Sequence, residues 1–383
     1  MANEDKATRY HRLRRRASLL ASLSGAAYLA LLVLSGLAVR LRELLIGPAD
    51  AAGPLSAMAY AVVLGAGYVV IRLPALRHRD LTLERRYGLS SESEAHWWLG
   101  ELKGVGVGLV ILAPLAGALV ALLRWSPERW WLAAAALLTL GLVIAARLAP
   151  TVLLPLFYDI RPLDRPSLTA RLVALAGRCG APVLGVFEWR VGDRTRKAGA
   201  ALVGLGAARR ILVSDTLLAD HSDEEIEVVL AHELAHHVHR DIWTALAVQA
   251  VLVLAGCYLA DRALAVLAGP LGLPGRGDAA SLPLLALAGG GAWALLVPVA
   301  NAVSRSHERR ADRFAVATTN NAGALVSALR RLGATNLAEE QPSPLVEALF
   351  HTHPSLALRI AAARALQPQP ARGVDPPSRT RPR

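Results

Sequence analysis

The chain has 383 residues, 54% of them hydrophobic and 19% charged, with a mean hydropathy of +0.38 and a formal net charge of +12. Apolar content this high argues against a purely soluble globular protein and for membrane spans. The positive charge does not signal a nucleic-acid partner, because the arginines are spread along loops rather than gathered on one face, as anchors of cytoplasmic loops are.

Residues 1–16 are polar and basic, ending Arg14-Arg15-Arg16, and the apolar run from Ala17 to about Val39 that follows is long enough to span. It exceeds a signal-peptide core, so an uncleaved first span is expected. Further spans are expected from Leu55 to Val70 or Leu73, and at about 105–123, 130–156, 242–267 and 282–303. Trp97, Trp98, Trp125, Trp130 and Trp131 stand where indoles favour the headgroup region. Between the fourth and fifth spans the hydropathy drops into a soluble α/β piece. Ser167 to Arg178 reads as helix, Val183 to Val191 as strand, and Ala200 to Gly204 with Arg210 to Val213 as two more strands around a Gly turn. After the sixth span come a polar SRSHERRADRFA segment, an amphipathic helical stretch to about Leu366, and a Pro/Arg-rich tail from Gln367 expected to be disordered.

This divides the chain into an N-terminal membrane domain at 1–157, a second domain at 158–366 interrupted by a two-span hairpin at about 242–303, and the tail at 367–383. Six spans put both termini, the 72–103 loop and the 157–241 segment on one side. Most Lys and Arg near the spans lie there, so that side is expected to be the cytoplasm. The chain is expected to be integral to the membrane, the plasma membrane for a bacterial chain. Of its two cysteines, Cys179 falls in the soluble segment and Cys257 in a span, which leaves neither a disulfide nor a cysteine-based zinc site.

The chemistry concentrates in Glu225 to His237, which contains His232-Glu233-Leu234-Ala235-His236, an HExxH pattern. Ser222 with Glu225 forms a capping box, so a helix is expected to start at Asp223 and carry the pattern inside it. Histidines four apart on a helix share a face and can reach one zinc ion. Glu233, beside the first ligand, can take a proton from water as it attacks a carbonyl. A third protein ligand is required. The hairpin of the last two spans returns the chain beside the motif helix, which makes Glu308 the candidate, with His307 a competitor on another side of the same segment. Asp312, one turn from Glu308, is placed to accept a hydrogen bond from a ligand histidine and fix its tautomer.

At this point the chain resembles the membrane-embedded gluzincins, the family of type I CaaX prenyl proteases and heat-shock membrane metalloproteases. The similarity rests on the HExxH, on Ser304-Arg305-Ser306-His307-Glu308-Arg309-Arg310-Ala311-Asp312, and on His353-Pro354-Ser355-Leu356-Ala357-Leu358-Arg359-Ile360. It extends to Ile211–Leu217 and Tyr87-Gly88-Leu89, covering roughly residues 80–365. It implies zinc, one per chain, on His232, His236 and Glu308, with Glu233 as general base and then proton donor. It implies that His353 lines the site and stabilises an oxyanion, and that the strand around Gly199, Ala200 and Ala201 binds the peptide. Arg359 is either a substrate contact or a structural ion-pair partner. The family carries Asn-Ala in the substrate strand; here Gly199 replaces the Asn, and an edge strand still pairs through its backbone.

The expected fold is thus an α-helical integral membrane protein of about six spans with a cytoplasmic α+β zinc-protease domain of gluzincin type. The expected function is zinc-dependent endopeptidase action on peptides or proteins, lipid-modified or not. The alternatives are quality control of misfolded membrane proteins, and an inactive peptide-binding scaffold.

Overall fold

The computed structural model describes residues 5–47, 53–149, 152, 154–204 and 209–367. The tail expected from Gln367 lies, apart from Gln367 itself, outside the described residues.

Six helices among the described residues are long and apolar enough to cross a membrane. Helix α1 (Lys6–Leu34) starts eleven residues before the expected span and stops short of Val39, because Gly36 takes a left-handed φ of 74° and the short α2 (Leu37–Ile46) sets off afresh. Then come α3 (Pro54–Arg77), continued by a π turn His78–Thr82 into the short α4 (Leu83–Arg86), α5 (Glu94–Trp125) and α6 (Trp130–Leu148). The α-helix of the fourth span runs to Leu148 and α7 (Leu154–Phe157) follows; Ala149 and Val152 between them are in a π-helical conformation, and the rest of the expected span to Leu156 lies partly outside the described residues. Trp97 is buried at 5% exposure, so of the two adjacent indoles Trp98 alone, at 43%, faces outward.

The soluble half opens with β1 (Asp159–Pro162), a four-residue strand of which Ile160 alone is half-buried. It continues through α8 (Pro166–Arg178), β2 (Val186–Arg190), β3 (Ala200–Val203), β4 (Arg210–Ser214) and α9 (Asp215–Asp220). The sheet order is β1-β2-β4-β3, with β2 parallel to β4 and both outer strands antiparallel, which leaves β3 on an edge. Leu168, Leu172, Leu175 and Ala176 form one stripe of α8 and pack with Ile211 and Val213 of β4 into the core beneath α10 (Asp223–Val238).

Two membrane helices reach into this half. α11 (Asp241–Leu267) and α12 (Leu282–Thr319) form the expected hairpin, but α12 runs on through sixteen residues beyond Val303. At 38 residues it is about 57 Å long, so a single rod carries both membrane contacts and the Glu308 segment. The helical stretch expected after it is three helices, α13 (Ala322–Thr335), α14 (Pro344–Phe350) and α15 (Leu356–Ala365), each opened by an Asn or Ser side-chain cap at Asn321, Ser343 and Ser355.

The first turns of α1 pack on the soluble half. Tyr10 donates to Glu84, Lys197 Nζ lies 2.8 Å from Glu84, and Arg15 lies 2.5 Å from Glu339. At the other end, Arg42 of α2 pairs with Asp278 at 3.3 Å. Among the described residues, the start of α1, α4 and the soluble half thus meet at one end of the spans, and α2 meets the 269–280 loop at the other, as the span count leads one to expect.

Candidate active site

Helix α10 starts at the expected capping box: Glu225 N donates to Ser222 Oγ at 3.3 Å and Ser222 N to Glu225 Oε2 at 3.0 Å. Ile226, Val228, Leu230, Ala231, Leu234 and Ala235 are buried, so apolar neighbours grip the helix on several sides and fix its rotation. That rotation turns His232 and His236 toward α12, their rings 5.1 Å apart and nearly perpendicular.

Glu308 of α12 meets them. His232 Nε2 is 3.3 Å from Glu308 Oε2, and His236 Nε2 is 3.5 Å from Oε1. Among the described residues, His232, His236 and Glu308 form the one group of three or more whose ligand atoms all lie within 4.8 Å of one another. His307, the competing candidate, is turned elsewhere, its Nε2 3.9 Å from Asp241.

Both imidazoles are oriented from behind. His232 Nδ1 donates to Asp312 Oδ1 at 2.9 Å, as the one-turn spacing anticipates. Asp312 is held in turn by a two-pronged Arg359, whose Nε and Nη2 donate at 2.9 and 2.7 Å. Arg359 thus takes the ion-pair role that the sequence left open. The partner of His236 was not anticipated. α10 does not merge into the fifth span: Arg240 takes a left-handed φ of 57°, breaks the helix, and swings Asp241 back so that Oδ2 accepts from His236 Nδ1 at 2.9 Å. Asp241 is 5% exposed and also accepts from Arg310. No glycine marks the break, so a local pattern could not reveal it.

The electrostatics follow from these contacts. Burial pushes the His232 pKa down, but the Asp312 and Glu308 carboxylates outweigh it and hold it up at about 9. The same two carboxylates would also attract a cation held between the ring nitrogens. Glu233 accepts no hydrogen bond from any described residue, and burial raises its pKa above the ordinary carboxylate value. His353, whose side chain is 58% exposed, lies with Nε2 3.3 Å from Glu308 Oε1. Its loop is held by Arg305, which donates to the carbonyls of Glu347 and His351 at 3.0 and 2.8 Å.

The donor set fits a metal. Both Nδ1 atoms are spent on carboxylates, which leaves the two Nε2 lone pairs converging. Glu308 Oε2 is buried without a hydrogen-bond partner, a state that is costly unless a cation completes it.

The edge strand lies beside α10. Ser214 N donates to Gly199 O, and Gly199 N to Ser214 Oγ, both at 3.0 Å. With the Ala201 to Leu212 register, this turns the backbone groups of Gly199 and Ala201 inward to β4. Of the three strand residues expected to bind substrate, Ala200 alone offers its backbone to the edge that is free among the described residues, and Leu202 joins it.

Residues 162–367 match the model of peptidase family M48, and residues 2–159 match that of the CAAX prenyl protease N-terminal region, described as five membrane helices. An uncharacterized metalloprotease, YhfN, of Bacillus subtilis is 28% identical over 72% of this chain and 66% of its own length. A probable CAAX prenyl protease 1 of Schizosaccharomyces pombe is 24% identical over 76% and 62%. The chain thus spans slightly under two thirds of the length of these curated relatives. The crystal structure of S. mikatae Ste24p superposes with a TM-score of 0.82 at 19% identity, covering 94% of this chain and 88% of that one. The fold is shared, and the chain belongs to peptidase family M48.

Proposed function

We propose that this member of peptidase family M48 is a membrane-embedded zinc endopeptidase that cuts peptides or proteins laid as an extended strand along β3. The observation that carries this is the convergence of His232, His236 and Glu308 on one point, with Nδ1 of each histidine already taken and one Glu308 oxygen accepting no hydrogen bond.

Two histidines and a carboxylate with an open position suit zinc. Zinc held by these three residues would lower the pKa of a water toward neutrality and polarise the scissile carbonyl. Glu233 accepts the proton of the attacking water, and its raised pKa suits a base that must next give that proton to the leaving amine. His353 presents a ring nitrogen where negative charge builds on the carbonyl oxygen. Asp312 and Asp241 keep each Nδ1 protonated and each Nε2 free, and Arg359 positions Asp312.

The lipid bilayer is the second partner. By the distribution of Lys and Arg, the termini and the site face the cytoplasm, with a membrane domain at 1–157 and a protease domain at 158–366 that contains the α11–α12 hairpin. An apolar cavity of about 520 Å³ lies among the membrane helices, lined by Tyr68, Leu112, Trp130, Leu252 and Trp293 among others. It is of ligand size and supports a lipid-modified substrate. Its nearest lining residue on α12, Leu296, is twelve residues from Glu308, about 18 Å along the helix, so a lipid chain must be long to reach it.

The test is metal content of the detergent-purified protein, with cleavage of β-casein as an unfolded substrate. About one zinc per chain is expected, absent from Glu308→Ala, with cleavage lost in Glu233→Gln. A wild type that takes up no zinc under metal-replete conditions would sink the proposal in favour of a scaffold. A matched pair of prenylated and unmodified peptides then separates lipid-modified substrates, preferred by tenfold or more, from quality control, which would show no preference.

A further inference from the structure

The free edge of β3 is shorter than it looks. Successive residues of a strand turn their N–H and C=O alternately to the two sides. Gly199 and Ala201 face β4, so Ala198, Ala200 and Leu202 face outward. Ile211 N, bonded to Gly185 O at 3.1 Å on the far side of β4, is consistent with this phase.

The outward groups of Ala198 are already used. Its N–H donates to Asn336 Oδ1 at 2.9 Å, and Asn336 Nδ2 donates to its carbonyl at 3.2 Å. One side-chain amide thus makes the two bonds that a residue of an added strand would make. The amide is firmly placed. Asn336 N donates to Leu332 O at 2.9 Å at the end of α13, and the carbonyl of the next residue, Leu337, accepts from His11 of α1 at 2.8 Å.

We propose that Asn336 is a specificity-determining residue that closes the β3 edge at Ala198, so that a bound peptide pairs with Ala200 and Leu202 and must leave the edge at Asn336. The peptide turns there into a cavity of about 630 Å³ lined by Asn336, Glu339, His351, His353 and Arg359, the last two being neighbours of Glu308. The proposal rests on β3 being the substrate strand. A bare structural clip between α13 and the strand is the competing role.

The experiment uses zinc-loaded full-length protein. β-Casein sites are mapped by mass spectrometry, and synthetic peptides spanning the strongest site are then lengthened by two and four residues at each end. In the wild type, kcat/KM stops rising at one end once Ala200 and Leu202 are paired. Asn336→Ala frees two backbone groups of Ala198, so two further residues at that end raise kcat/KM by about tenfold, against under about twofold in the wild type. Asn336→Asp keeps the acceptor for the Ala198 N–H but not the donor for its carbonyl; it gives about a threefold gain and serves if the alanine variant fails to fold. A length dependence identical to wild type in either folded variant, whatever its melting temperature, overturns the proposal. A wild type that binds zinc yet cleaves nothing overturns instead the premise that β3 receives a substrate.

Discussion

Buried carboxylates stand at both ends of the long helices, in opposite states. Asp261, twenty residues and about 30 Å along α11 from Asp241, is fully buried and fully engaged. It accepts from Trp130 Nε1 at 2.8 Å and Arg262 Nε at 3.0 Å, with Arg276 at 3.6 Å. Glu308, 5% exposed, has charged or ring nitrogens of His232, His236, His353 and Arg359 at 3.3–3.7 Å, yet its Oε2 accepts no hydrogen bond and two imidazole nitrogens converge on it. A charged residue in a membrane helix is by default a functional candidate. The contrast refines that rule: what marks a site is not the buried charge but the donors and acceptors around it that the protein leaves unmatched.

The largest effect should come from the group kept freest. Glu233→Gln is expected to keep zinc and lose about 10²- to 10⁴-fold in kcat, as expected for removal of a general base; activity within tenfold of wild type would give proton transfer to another group. Next is Asp241→Ala, which strips the hydrogen bond from His236 Nδ1 and should weaken zinc about 10- to 100-fold in a chelator competition. An unchanged affinity would show that Asp241 serves only Arg310 and the helix junction. At the far end, Asp261→Leu strands the buried Trp130 N–H and should cost about 1–3 kcal/mol of stability, read as a lower melting temperature. Zinc content and cleavage per folded molecule should not move. A loss of zinc in that variant would erase the distinction between the two ends.

The parts of the site that the sequence disclosed are those written in local spacing. The capping box, the two histidines on one face and the Glu308 to Asp312 turn each need only helical periodicity. The spans needed only long apolar runs. What stayed hidden depends on single backbone angles or distant pairs. Asp241 reaches His236 because a non-glycine residue, Arg240, adopts φ 57°. Asn336 meets Ala198 across 138 residues, from inside a stretch that reads only as helical and amphipathic. The caps at Ser343-Pro344 and Ser355 were legible signals that this stretch is divided. The Asp159–Pro162 strand was not read because the alternation of Asp-Ile-Arg-Pro is only four residues long and ends in a proline.

The smallest effect tests the same contrast in the substrate strand. By the resemblance of the sequence, Gly199 is expected where the family carries Asn, which invites the view that the glycine is a functional loss. Its polar backbone is already committed to Ser214, and a Cβ placed there would meet nothing within 4 Å. Its φ is not in the left-handed range, so no conformational demand holds the glycine either. Gly199→Ala should therefore be tolerated, gaining about 0.4–1 kcal/mol by restricting the unfolded chain, with kcat/KM on a β-casein peptide changed by less than about twofold. Gly199→Asn adds a polar side chain to the same open space; a rise in kcat/KM of tenfold or more in that variant alone would show that the family's Asn contacts the peptide through its side chain. If instead the alanine variant lost activity, a group already engaged with β4 would be acting on substrate, and the division between committed and free groups would fail at this strand.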